Sequence, residues 1–215
     1  MEFDTSFALQ ILPSLLRGAV VTLEATMLGF LLALLGGLVL AIGRMSRLAP
    51  LCTAYVEFMR NTPLLVQLYF LFYVLPLAWI SFGALETGVL GLGLYYSSYI
   101  AEVYRAGIEA VPRGQWEAAR SLEMPTWQTW MRIVLPQAIP PMGPVLGNYL
   151  IGMFKDTPLL AIITIPELFN AAMQVAGSTY RYNEPYTLVA LIFVAMSYPA
   201  SLLVRGFERR FAPRR

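Results

Sequence analysis

Lys155 and Asp156 are the residues best suited to chemistry. Lys155 is the single lysine of the chain; the other fourteen cationic side chains are arginines, bunched at intervals, whereas Lys155 lies inside an apolar stretch. A charge at mid-bilayer costs at least about 2.5–3.5 kcal/mol, so both groups are expected to face protein or water. Pro158 lacks an N–H and leaves the carbonyl of Phe154 without its helical partner, which predicts a bend there. A broken helix bearing opposite charges suits a small zwitterion, with Lys155 complementing a carboxylate and Asp156 an ammonium. Helix neighbours point about 100° apart, so the two cannot satisfy each other fully. A second reading stays open, in which each pairs with another helix, for example Lys155 with Glu24, and locks the bundle.

Further polar residues lie in apolar surroundings. Glu24 either rims an outer gate or snorkels to the surface. Gln67 and Asn148 either line a cavity or form hydrogen bonds between helices. Glu102 and Arg105, three residues apart, read as an ordinary ion pair. With no His and one cysteine, Cys52, there is no disulfide framework, no His/Cys zinc site and no His-based acid–base catalysis. No catalytic or metal-binding residue is expected. No Gly-x-x-x-x-Gly-Lys-Ser/Thr loop occurs, so the chain has no such means of binding ATP.

The elements that must position these residues are apolar. The composition is 58% apolar and 13% charged, against roughly 25% charged in soluble domains. A spanning helix takes about 20 apolar residues. Five stretches qualify: 19–42, 64–82, 87–103, 145–165 and 186–204. The third is rich in Gly, Tyr and Ser, which favours helix packing over lipid contact. The fourth lies between Pro144 and Pro166 and has Lys155 at its centre. Glu2 and Asp4 precede the first stretch, and its apolar core is long enough to span, so the amino terminus reads as an anchor rather than a cleaved signal.

Basic residues orient the chain. Arg44, Arg47 and Arg60 follow the first span; Arg105, Arg113, Arg120 and Arg132 follow the third; Arg205, Arg209, Arg210, Arg214 and Arg215 follow the fifth. Twelve fall on one side against Arg17 and Arg181 on the other, which predicts an external amino terminus and a cytoplasmic carboxyl terminus.

The segment 110–140, between the third and fourth spans, reads as two short rods. Residues 114–122 form the first, and residues 124–135 the second, closed by Leu135-Pro136. Trp116, Trp127 and Trp130 are expected at headgroup level. By physics alone this hairpin is either a link between spans or a docking surface for a soluble partner.

Glu117-Ala118-Ala119, followed by Ile133-x-Leu135-Pro136, resembles the EAA loop of ABC importer permeases. The segments Arg60-Asn61-Thr62-Pro63, Tyr99-Ile100-Ala101-Glu102, Val111-Pro112-Arg113-Gly114 and Lys155-Asp156-Thr157 extend the resemblance over nearly the whole chain. They are similar to permease subunits of polar amino-acid importers, the histidine, glutamine, glutamate, arginine and opine branch of the type I importers. Two positions depart from the pattern. Glu123 stands where the family has its turn glycine, and Asn61 replaces a Gly before Thr-Pro. At position 123 either the turn changes shape or its strain is accepted.

The resemblance implies an all-α integral membrane protein, residues 1–215 forming one transmembrane domain in the bacterial cytoplasmic membrane. It implies a transport subunit rather than an enzyme, moving a polar amino acid or similar zwitterion. Glu117, Ala118, Ala119, Arg120, Leu122 and Glu123 would form a coupling helix seated on a cytoplasmic ABC ATPase. ATP and Mg would bind to that partner, with no cofactor on this chain. A second permease subunit, identical or homologous, and an extracytoplasmic solute-binding protein complete the expected partners, with lipid around them and no nucleic acid. The rival reading is an ATP-independent channel or ion-coupled carrier.

Overall fold

A computed structural model describes residues 3–211; Glu2, Arg214 and Arg215 lie outside the described residues, as does the side chain of Arg210. Helix α1, Thr5–Arg44, starts where Asp4 turns extended and its carboxylate accepts the amides of Ser6 and Phe7. This start lies well before residue 19, because an N-cap stands ready at Asp4 and the intervening residues favour helix. Along α1, Ala25, Gly29, Ala33, Gly37 and Ala41 recur every fourth residue, and all are buried. This strip of small side chains admits α4, Ala84–Glu109, at close range. A Cβ on Gly37 would come within 2.7 Å of the Ile100 side chain. The predicted third span lies inside α4.

The second stretch departs from expectation. An unforeseen helix α2, Ala49–Asn61, precedes it. Helix α3, Leu64–Tyr69, continues through a π turn at Phe70–Val74 and a 3₁₀ turn at Leu75–Ala78. The helix therefore stops at Ala78 rather than at residue 82. Pro76 has no N–H with which to resume α-helical bonding, and Trp79 then takes a left-handed φ of 64°. The chain turns through 104° between α2 and the helical run 64–78.

The hairpin comprises α5, Arg113–Ser121, then α6, Thr126–Thr129, and a π turn at Trp130–Val134. Leu135-Pro136 does not close the second rod, contrary to the sequence expectation. Instead α7, Leu135–Asp156, follows directly, and Pro140, Pro141 and Pro144 all lie within it. The π turn lets Leu135 bond back to Trp130, so Pro136 falls in a first turn where no N–H is needed. The fourth apolar helix thus begins at residue 135, ten before the predicted start.

Its far end breaks as Pro158 predicts. A 3₁₀ segment, Thr157–Ile163, takes over, and the Phe154 carbonyl accepts both the amide and the hydroxyl of Thr157, the latter at 2.7 Å. After a left-handed turn at Thr164, a second unforeseen helix, α8 (Leu168–Thr179), leaves at 46°. Helix α9, Asn183–Phe211, holds the predicted fifth span. Every regular element among the described residues is helical, with α1 and α9 each long and apolar enough to cross a membrane, and two further candidates formed by bent pairs of helices.

The main core joins Leu68, Leu92, Tyr96, Ile100, Met153 and Ile163 at the middle of the bundle. At the end opposite the hairpin, Leu15 of α1 packs on Leu168 and Ala172 of α8. Here Gly18 lies so close to α8 that a Cβ would meet the Leu168 Cα at 2.9 Å.

Candidate functional site

Two features are candidates for the functional site, the hairpin and a cleft between α4 and α7. In the hairpin, Glu117, Ala118, Arg120, Leu122 and Glu123 are exposed, whereas Ala119 is buried. Leu122, the C-cap of α5, is 72% exposed, which is high for an apolar side chain. Trp116 packs edge-on to Trp130 at 5.4 Å, and both join a cluster with Val103, Val134 and Met142 at the ends of α4 and α7. Trp116 and Trp130, half-buried, each find an aromatic partner across the hairpin and so pin it; Trp127 alone of the three is mostly exposed.

Helix α5 ends in a Schellman motif. The Glu123 amide donates to Arg120 O at 2.9 Å, and the Met124 amide to Ala119 O at 3.1 Å. Glu123 sits at the left-handed position with φ 51°. Glu123 thus takes the left-handed conformation that glycine adopts freely, and the strain of a non-glycine residue is accepted.

The cleft, about 480 Å³, is lined on α4 by Tyr95, Tyr96 and Tyr99, and on α7 by Asn148, Tyr149, Gly152 and Asp156. The Tyr96 hydroxyl donates to the Asp156 carboxylate at 2.8 Å. Tyr96 is midway along α4, so the broken end of α7 lies level with the middle of the bundle. The rings of Tyr99 and Tyr149 stand 5.7 Å apart, and the Tyr95 and Tyr99 hydroxyls 3.0 Å apart.

The predicted residues are only partly gathered here. Asp156 and Asn148 line the cleft. Lys155 is exposed beside it, outside the lining, and Glu24 is exposed on the face of α1 turned away from the core. No ion pair joins Lys155 and Glu24 among the described residues. Gln67 lies elsewhere: its amide donates to Met59 O and Thr62 O at 3.0 and 3.1 Å, stapling the sharp bend between α2 and α3. The four tyrosines were not foreseen from sequence, although Tyr95, Tyr96 and Tyr99 share one face of a helix and so carried a signal.

Ionic clusters close both ends. At the hairpin end, Glu102 pairs with Arg44 of α1 and, at 2.7 Å, with Arg105, as its spacing predicted. At the far end, Arg181 bonds Asp4 at 3.2 Å and Glu184 at 2.7 Å, and stacks 4.1 Å from the Phe7 ring. The Ser6 hydroxyl foremost, then the Phe7 amide and Arg181, hold the Asp4 carboxyl down at about 2.

Residues 33–214 match the family described as the inner membrane component of binding-protein-dependent transport systems. The chain belongs to this family. A probable amino-acid ABC transporter permease of Sinorhizobium fredii is 47% identical over 205 residues, covering 94% of this chain and 89% of the relative. The glutamate/aspartate import permease GltK of Escherichia coli is 33% identical, with 98% and 99% of the two chains covered. A crystal structure of an amino acid ABC transporter with histidines superposes with a TM-score of 0.91 at 37% identity, over 98% of this chain and 100% of that one. The MetNI methionine transporter shares the fold at 17% identity, with a TM-score of 0.67 over 95% and 99%. This protein is an amino-acid ABC transporter permease, the membrane subunit of an ATP-driven importer, and the ATP-independent channel or carrier is not favoured.

Proposed function

We propose that this permease admits a polar amino acid through a five-span bundle, with its amino terminus outside and the hairpin in the cytoplasm. Residues 1–215 act as one transmembrane unit. Glu117, Ala118, Arg120, Leu122 and Glu123 seat in a cytoplasmic ATPase, while Ala119 faces the bundle and fixes the helix against it. ATP and Mg bind to that partner and the hydrolysis occurs there; a homologous or identical second permease and an external solute-binding protein complete the machine. The observation that carries this reading is the two-sided hairpin. One face is held by the Trp116–Trp130 pair on the core that reaches Tyr104 and Tyr149, and the other presents Leu122 and Glu117 outward. A push on the exposed face therefore travels through packed rings to the cleft wall.

Cargo occupies the tyrosine cleft, its ammonium against Asp156 and its remaining polar atoms among the tyrosine hydroxyls and Asn148. Lys155, in the last turn of α7, favours the negative end of that helix and meets water or the second permease rather than lipid. Glu117→Lys and Ala118→Asp test the coupling. Both are expected to abolish ATP-driven uptake in proteoliposomes and to weaken co-purification of the ATPase. Full uptake with normal co-purification in either variant would refute the docking role.

A further inference from the structure

We infer that the tyrosine cleft selects cargo by net charge, preferring an amino acid with an ammonium or guanidinium side chain to a neutral one, and a neutral one to a dicarboxylic one. This inference rests on the proposed placement of cargo in that cleft. One formal charge lines the cleft, the carboxylate of Asp156. The remaining lining is supplied by tyrosine rings, an amide, a glycine and Val145; among the described residues no lysine or arginine takes part. The adjacent cations are Lys155, whose side chain lies on the exposed surface outside that lining, and Arg60, which lies 5.3 Å over the Tyr99 ring and is offset by Glu102 at 4.0 Å.

Ring faces carry the negative lobe of an aromatic quadrupole and attract ammonium and guanidinium groups. Tyr95, Tyr96, Tyr99 and Tyr149 pack with centroids 5.1 to 6.2 Å apart, so they present one aromatic wall. A guanidinium already rests on one of these rings, since Arg60 lies 5.3 Å from the centre of Tyr99. Asp156 is held in place by the Tyr96 hydroxyl at 2.8 Å. An ionised carboxylate offers about four acceptor positions, so it keeps the capacity to accept from a cationic cargo group.

The charge argument does not depend on how the cargo lies. A dicarboxylic amino acid brings net negative charge to a negative, partly desolvated site and is repelled. A neutral zwitterion brings no net charge, and a basic amino acid brings one positive charge to one negative charge. The ranking follows from the lining alone.

Calorimetric binding to the assembled permease–ATPase complex in nanodiscs, without a solute-binding protein, tests this with L-arginine, L-glutamine and L-glutamate as probes. Arginine is expected to bind about tenfold more tightly than glutamine, and glutamate more weakly still. Asp156→Asn should erase most of the arginine advantage, and Tyr149→Trp, which fills the cleft, should weaken all binding. If glutamine or glutamate binds as tightly as arginine while Tyr149→Trp still blocks it, charge selection is wrong and the cleft stands as the cargo site. If no probe binds, or binding ignores Tyr149→Trp, both readings fail. Should Asp156→Asn not fold, the ranking in the unaltered complex decides the matter.

Discussion

The guanidinium of Arg60 stacks on the Tyr99 ring at 5.3 Å, tying the last turn of α2 to the wall of the cleft. Arg60 also lies 4.0 Å from Glu102, so one side chain links the sharp bend before α3, the cleft and the ionic cluster at the hairpin end. Its side chain is 41% exposed, which limits the stacking to roughly 0.5–1 kcal/mol.

A double-mutant cycle on Arg60→Gln and Tyr99→Ala is therefore expected to give a coupling of about 0.5–1 kcal/mol in thermal unfolding of the complex. Tyr99→Phe keeps the ring face and should keep the coupling. Additive effects of Arg60→Gln and Tyr99→Ala would show that the stacking contributes nothing.

Glu123 occupies a left-handed position that glycine fills without penalty. Glu123→Gly should stabilise the hairpin turn by roughly 1 kcal/mol, since the Schellman hydrogen bonds are already in place. Glu123→Val should destabilise it further, because a branched Cβ suits that region least. Proteolytic nicking of the hairpin in the purified complex reads both: slower for Gly, faster for Val.

Acid is expected to loosen the far end of α1. The Asp4 carboxyl is held at about 2, below its ordinary 3.8, so folding favours its charged form. That contribution is complete above the ordinary value and is lost as pH falls through about 4 towards 2. Protection of the Ser6 and Phe7 amides, taken as exchange relative to the intrinsic rate at each pH, should fall over this window, and Asp4→Asn should remove that fall. A flat profile between pH 5 and 2.5 would deny Asp4 that role.

Much of this architecture was legible because bilayer helices need long apolar runs, and such runs show in one sequence. The break after Asp156 was legible for a similar reason: Pro158 cannot donate, whatever surrounds it. The boundaries near residues 78 and 135 were not, because π turns let a helix change register, so Pro76 ended one helix while Pro136 was absorbed into another. Helices α2 and α8 are short and take their places from tertiary contacts, such as the Gly18 approach and the Gln67 staple, which lie far from local pattern. The hairpin side of the site carried a recognisable motif. The cleft did not, since a tyrosine reads as packing until a facing helix supplies a second wall; Tyr149 and Asp156 do so only once α7 lies beside α4.

The strip of small residues on α1 makes the last prediction. Gly37→Val should destabilise the bundle by about 1–3 kcal/mol, because its Cβ would fall 2.7 Å from Ile100 Cγ2 and 3.1 Å from the backbone nitrogen of Ala101. The first neighbour is a side chain that can be shortened, whereas the second is main chain of α4 and cannot yield. Ile100→Ala removes Cγ2 but leaves the Ile100 Cβ at 3.0 Å and the Ala101 nitrogen at 3.1 Å, so combined with Gly37→Ala it should recover only part of the steric cost of Gly37→Ala, while Gly37→Val should stay impaired in either background. Gly177 on α8 supplies the contrast: a Cβ there would meet no atom within 4 Å, so Gly177→Ala should raise stability by up to about 1 kcal/mol through helix propensity. Thermal unfolding of these variants in the same detergent measures the difference. If Gly37→Val melts with the unaltered protein, α1 and α4 are not packed at the distance described.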